Sequence, residues 1–257
     1  MQAGVAAPIA AGSAETRGVH GLDLTVADVI TGYGVAASVR RLYARRGRPL
    51  AGVRVLLEGF GNVGAAAGLY LTRSGARVVA LRDAHSTLID VDGLDADALE
   101  DLLQRRRNKL LPVDDARVHG GLERSRFWSV PADVFVCAAI SESVTPDTLD
   151  ELERSGVGVI ACGSNQPFRE VKIGSAVVAQ DADCRFSVLP DILANCGMAR
   201  TFSYLMESNA QPSAEPIFDA VNRTIEEALD EVLDRAADAE TGLLSATLGL
   251  ALDRIGA

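Results

Sequence analysis

The sequence predicts an α/β fold, a doubly wound parallel (Rossmann) sheet with C-terminal helices. Three observations carry the prediction. Short apolar runs at residues 53–57, 77–81, 133–139 and 157–162 have the length and aliphatic content of strands buried on both faces. Helical patterns lie between these runs, the rhythm of right-handed strand–helix–strand crossovers. Finally, Gly59, Gly61 and Gly64 stand at G-x-G-x-x-G spacing, directly after the first run and before an Ala-rich stretch at 65–74.

Each of these glycines has a separate task. Gly59 permits a tight turn, Gly61 lets the backbone approach a pyrophosphate, and Gly64 lets helix and strand pack closely. The phosphates then meet the positive N-terminus of the helix. The same spacing also occurs as a plain turn in other α/β domains. Here a strand precedes it, a helix follows, and a second strand is reached through Ser74-Gly75, which favours a dinucleotide. Asp83 lies 24 residues beyond Gly59, near the spacing of a carboxylate that binds the adenosine ribose, and Arg82 stands beside it.

In chain order, residues 1–24 are rich in Gly and Ala without periodicity and are expected to form a poorly ordered arm. From about Thr25, the residues Val29, Val35, Val39 and Leu42 suit a helix against the sheet. Within it, Thr31-Gly-Tyr-Gly-Val35 holds two glycines, each costing about 1 kcal/mol relative to Ala, which implies close approach by a ligand or another backbone. Residues 90–95 read as a turn, and 96–104 as a helix with Leu99, Leu102 and Leu103 on one face. Residues 105–128 show no clear pattern, and the basic run at 105–109 reads as a solvated helix end.

Thr145 and Pro146 suit the N-cap and first position of a helix reaching Leu152. A short run at 186–190 gives way to Asp191-Ile-Leu-Ala-Asn-Cys-Gly197. Ile217, Val221, Ile225, Leu229 and Val232 mark a long amphipathic helix, and a last helix spans 245–255. The expected layout is an arm at 1–24, a dinucleotide-binding domain at 25–210, and helices at 211–257 that pack on that domain or on a partner. Ligands in such sheets bind at the carboxyl ends of the strands, where the polar clusters fall.

Composition narrows the function. A hydrophobic fraction of 48% supports a sizeable core, yet no stretch is long and apolar enough to span a bilayer. A net charge of −10 disfavours a nucleic-acid surface, which needs clustered Lys and Arg. Cys137, Cys162, Cys184 and Cys196 are widely spaced without C-x-x-C, the pattern of free thiols in a reducing cytoplasm rather than a zinc site. The first 14 residues carry no basic n-region, so they do not read as a signal peptide.

Taken together, Thr31-Gly-Tyr-Gly-Val35, Glu58-Gly-Phe-Gly-Asn-Val-Gly64, the strand ending Cys137-Ala-Ala139, Gly163-Ser-Asn165 and Leu189-Pro-Asp-Ile-Leu-Ala-Asn-Cys-Gly197 resemble the cofactor-binding, C-terminal domain of the glutamate/leucine/phenylalanine/valine dehydrogenase family. The order and spacing agree from about Thr31 to the end. The resemblance implies that Gly59, Phe60, Gly61, Asn62, Val63 and Gly64 cradle the pyrophosphate, and that Thr31 and Asn62 hold the nicotinamide carboxamide. It implies that Ala138 and Ala139 lie against the adenosine half, that Asn165 and Asn195 meet the nicotinamide ribose, and that Ser203 touches the substrate side chain. Plainer readings stand beside these: Thr31 as a helix N-cap, Asn165 and Asn195 as turn residues, Ser203 as a helix-surface residue.

Cofactor choice turns on two adjacent residues. Arg82 stands where some relatives carry an acid for the ribose hydroxyls, and an Arg there would pair with a 2′-phosphate, leaning the expectation to NADP over NAD. Asp83, one step on, could instead take the hydroxyls, and a solvated, indifferent Arg82 is the third reading.

The departures are equally informative. The family's N-terminal domain supplies a catalytic lysine in a glycine-rich segment and a separate aspartate. This sequence holds two lysines, Lys109 and Lys172, neither in such a segment. General acid–base catalysis is worth on the order of 10²–10⁴-fold, so deamination by this chain alone is not expected. The expectation is an oxidoreductase that uses NAD(P) to move hydride to or from a C=N or C=O substrate, with Asp191 its best-placed acid/base group. His85 should lie at the wrong end of the cofactor. The alternatives are a non-catalytic dinucleotide-binding module, or the cofactor half of a split dehydrogenase. Expected partners are a small-molecule substrate, and a second copy or a separate substrate-domain chain.

Overall fold

The structure is a computed structural model that describes residues 24–120, 126–170, 172 and 174–256. The expected arm at 1–24 therefore lies, but for Leu24, outside the described residues. The first helix, α1 (Val26–Arg45), starts where the sequence indicated. Thr25 caps it in a reciprocal box: the Asp28 N–H donates to the Thr25 hydroxyl at 3.3 Å, and the Thr25 N–H donates to the Asp28 carboxylate at 2.9 Å. Thr31 is thus inside the helix, and the N-cap alternative for it falls away.

Along the chain follow β1 (Arg54–Glu58), α2 (Asn62–Arg73), β2 (Arg77–Arg82), β3 (Ser86–Leu94), α3 (Ala96–Arg105) and β4 (Val118–Gly120). A 3₁₀ turn (Phe127–Ser129) precedes β5 (Val134–Cys137), α4 (Pro146–Arg154), β6 (Val159–Cys162), α5 (Val177–Arg185) and β7 (Ser187–Leu189). The chain then forms α6 (Asp191–Ala194), α7 (Gly197–Leu205), α8 (Ala214–Arg235) and α9 (Leu243–Ile255). Thr145 caps α4 through the Thr148 N–H, with Pro146 at the first position, as the sequence predicts.

The strands form one sheet in the order β4-β3-β2-β1-β5-β6-β7. The five from β2 to β7 in that order are parallel, the predicted doubly wound core. Two antiparallel strands, β3 and β4, extend one edge beyond the prediction. The stretch 90–95, read as a turn, is mostly the outer half of β3. Its turn chemistry is real: the Asp90 carboxylate accepts the Asp92 and Gly93 N–H groups, and Gly93 has φ +82. That chemistry produces a register shift against β2 instead of a reversal.

Alternate residues of the strands feed two cores. Val55, Leu57, Val134, Val136 and Ala161 face α1, α2 and α8; Leu56, Phe135, Ile160 and Val188 face Phe127, α4 and α5. The glycines of the Thr31–Val35 motif serve helix packing. A side chain on Gly32 would overlap the Val63 carbonyl of α2, and one on Gly34 would sit 2.9 Å from the Ala194 carbonyl. It is backbone, not ligand, that these glycines admit.

The apolar face of α8 is spent within the chain. Ile217, Val221, Ile225, Leu229 and Val232 are buried in the first core. Beside that seam, Asp230 takes the guanidinium of Arg41 and lies 3.2 Å from that of Arg45. Among the described residues, no helix is long and apolar enough to cross a membrane.

Candidate dinucleotide site

The turn between β1 and α2 has the shape its glycines require. Gly59 sits at φ +99, where L side chains are strained, and a Cβ on it would run into the Ala138 backbone. A Cβ on Gly64 would overlap the Gly59 carbonyl oxygen, so strand and helix are in backbone contact. Gly61 differs from both: nothing stands within 4 Å of the place a Cβ would take. The space beside the middle glycine is open.

Gly61 is also the N-cap of α2, with no side-chain cap and no acidic residue in the first turn. The first N–H groups of a helix have no carbonyl one turn back, so they remain available to an anion. Phe60 is 1% exposed and belongs to the core, so only its backbone is available to a phosphate. The first turn of α2 thus presents uncapped backbone N–H groups beside open space at Gly61.

A cation from outside the motif reaches this turn. Arg106, just past α3, directs Nη2 at the Asn62 side-chain oxygen (3.3 Å) and Nη1 at the Gly61 carbonyl (3.5 Å). The Asn62 amide donates in turn to Asp28 Oδ1 at 3.0 Å. Burial pulls the Arg106 guanidinium below the usual arginine range, while Asp28 pulls it up; it remains a cation at neutral pH. The run 105–109 is therefore not simply a solvated helix end. Only tertiary folding brings Arg106 back to a loop 44 residues earlier.

At the carboxyl ends of the central strands, Glu58, Arg82 and Cys137 are register partners on adjacent strands, and Cys162 continues the row. The Arg82 guanidinium is bound to the Glu58 carboxylate, with side chains only 16% and 4% exposed. Ser143 donates to the other Glu58 oxygen at 3.1 Å. The guanidinium lies 4.4 Å from the centroid of the Trp128 ring and 5.1 Å from that of Phe127. Arg82 is thus neither solvated nor a free phosphate anchor.

Asp83, the other candidate, is turned inward and 7% exposed. Its carboxylate accepts the N–H groups of His85 and Ser86 at 2.7 Å and that of Leu111 at 2.6 Å. These bonds tie the β2–β3 corner together and use both oxygens. Ala138 is buried against Gly59 and Gly163, while Ala139 is exposed. Cys137 and Cys162 are buried, and their proximity together with burial holds the Cys162 thiol neutral, well above the usual range.

The other half of the predicted site gathers at the ends of β6 and β7. The Asn195 amide donates to the Asn165 side-chain oxygen at 2.8 Å, so two residues 30 apart in sequence form one polar pair. Gly163 packs on Val63 of the glycine turn, and Gly197 packs on Ile30 and Thr31 of α1. The segments carrying Asn165 and Asn195 are thus packed, through these glycines, against the glycine turn and α1. Ser203 is exposed on α7.

Asp191 heads α6. Its two oxygens accept the Gln166 N–H and its neighbour Ile192 N–H, each at 2.9 Å. It borders a cavity of about 460 Å³ together with Phe168, Glu170 and Leu248, and Lys172 stands at the same wall. Lys109 is far from this region in sequence, exposed, and at φ 64.

Comparison with known proteins agrees with this architecture. The family model described as glutamate/leucine/phenylalanine/valine dehydrogenase matches residues 24–257. Glutamate dehydrogenase of Aeropyrum pernix is 31% identical over 173 residues, 66% of this chain and 38% of that protein. The NAD-specific glutamate dehydrogenase of Staphylococcus aureus is 28% identical over 70% of the chain and 39% of its own length. The NADP-specific enzyme of Escherichia coli is 30% identical over 70% and 40%. In three dimensions, hetero-hexameric glutamate dehydrogenase from Thermus thermophilus superposes with a TM-score of 0.70 at 24% identity, covering 88% of this chain and 51% of that one.

The chain thus spans about two fifths of the length of these curated relatives. With the family match running from the first described helix to the last, and with the glycine turn in place on the parallel sheet, the chain belongs to the glutamate/leucine/phenylalanine/valine dehydrogenase family.

Proposed function

We propose that this chain binds NAD(P) across the carboxyl ends of its parallel strands and serves as the cofactor-binding part of an oxidoreductase acting on C=N or C=O substrates of the imino- or keto-acid type. The carrying observation is the turn 59–64: open space beside Gly61, an uncapped helix N-terminus, and the Arg106 cation at 3.5 Å from the Gly61 carbonyl. When bound, the dinucleotide supplies or accepts the hydride, and a proton moves in parallel to or from the substrate nitrogen or oxygen.

The chain's own residues have binding and positioning tasks in this reading. Amides 61–64 and Arg106 hold the pyrophosphate, and Gly59 and Gly64 keep the turn closed enough to present those amides. Asn165 and Asn195, already hydrogen-bonded to one another, offer the remaining donors and acceptors to the nicotinamide ribose, with Thr31 on α1. Ser203 and Asp191 belong to the substrate side, where the Asp191 bonds to two backbone amides favour a positioning role over proton transfer. The acid/base group for the chemical step then comes from a substrate-binding unit outside this sequence, which is the reading the two exposed lysines favour.

Calorimetric titration with NAD⁺ and NADP⁺ tests the first part. Binding of at least one is expected, and silence toward both up to about 1 mM removes the proposal. Single-turnover oxidation of NADPH or NADH with an imino or keto acid, with and without a separately supplied substrate domain, tests the second. Turnover only in the mixture is expected; equal turnover by the chain alone would place the acid/base group within it.

A further inference from the structure

The pairing of Glu58 with Arg82 bears on which dinucleotide the site accepts. Arg82 ends β2, 23 residues after Gly59, the place where an arginine ordinarily receives a 2′-phosphate. Glu58 ends β1 directly beside it in register. The carboxylate is 4% exposed, engages the Arg82 guanidinium with one oxygen, and accepts Ser143 Oγ with the other at 3.1 Å. The guanidinium carbon lies 4.4 Å from the centroid of the Trp128 ring, a cation–π contact that adds to its hold on Arg82. A cation in a fully formed ion pair, in a low-dielectric setting, contributes little net field to a second anion, and the nearby Glu58 charge repels that anion.

We propose that Glu58 is a specificity-determining residue: by holding Arg82 in a buried ion pair beneath Trp128, it withholds the guanidinium from a 2′-phosphate, so the site selects the dinucleotide whose adenosine ribose is unphosphorylated. This deepens the dinucleotide reading above and rests on it. It also reverses the expectation drawn from Arg82 alone, because the sequence shows the arginine without its partner.

The test is calorimetry on the intact chain with NAD⁺ and NADP⁺, and with 5′-AMP and 2′,5′-ADP as probes of the adenosine end. For the native sequence, NAD⁺ is expected to bind about fivefold or more tightly than NADP⁺, with the same order for the two fragments. Tighter binding of NADP⁺ overturns the proposal without any variant being made. In Glu58→Gln, which keeps the shape and a hydrogen bond to Arg82 but removes the charge, the preference is expected to move about fivefold or more toward NADP⁺. A folded Glu58→Gln whose ratio stays within about twofold of the native one also overturns it. If the native chain binds neither dinucleotide, the failure lies with the cofactor reading itself, a result distinct from an unaltered preference.

Discussion

A side chain on Gly64 would overlap the carbonyl oxygen of Gly59, whereas one on Gly61 would meet nothing within 4 Å. The two glycines of one motif thus stand in different surroundings, one against backbone and the other beside open space. Gly64→Ala is expected to destabilise the chain by about 1–3 kcal/mol or more, because the overlapped atom is backbone and cannot turn aside. Gly61 has φ −70, which alanine adopts freely. Gly61→Ala should therefore melt within a few degrees of the native chain while losing dinucleotide affinity by about tenfold or more. Thermal melts with calorimetry on both variants check the contrast.

Arg106 is expected to contribute to cofactor affinity through charge. Arg106→Gln should weaken dinucleotide binding by about tenfold, ~1.4 kcal/mol, since it removes a cation from beside the helix N-terminus. Raising the salt concentration should erode native affinity more than that of the variant, because an interaction between charges is screened. Equal salt dependence in both would assign Arg106 to holding Asn62 alone.

The α1–α8 seam predicts an acid-labile contribution to stability. The hydrogen bond and charge of Arg41, with Arg45 behind it, hold the Asp230 carboxyl below the usual carboxylate range in the folded chain. A depressed folded value means that the stabilisation is fully present above the unfolded carboxylate value near pH 4 and is lost as pH falls through the folded one. Asp230→Asn should cost about 1 kcal/mol at pH 7 and progressively less as the medium is acidified below about pH 4. Melting temperature against pH for both proteins measures this.

Asp183 anchors α9 to α5. This buried carboxylate of α5 accepts the N–H groups of Leu244 and Ser245 at 2.8 and 2.9 Å and the Ser245 hydroxyl at 2.7 Å. Asp183→Ala leaves the buried Leu244 N–H without its acceptor and uncaps the helix start, and a loss of about 2 kcal/mol is expected, followed by denaturant unfolding. Hydrogen exchange should rise first over the opening turn of α9.

What the sequence determined by itself was whatever depends on near neighbours. Apolar runs and helical spacing define the parallel core; Thr145-Pro146 and the glycine turn mark their own helix starts, because caps and turns are contacts within a few residues. The polar clusters after β5, β6 and β7 were legible for the same reason, since they follow their strands directly in the chain. Tertiary structure alone decided the partners. It turned the two α1 glycines toward backbone, converted 90–95 from a turn into an irregular strand, and drew the Asp83 carboxylate to the Leu111 N–H. It also brought Arg106 back to Asn62 and set Glu58 against Arg82. Those pairings join residues tens of positions apart, and charge cancellation depends on distance in space, which the order of residues along a chain does not contain.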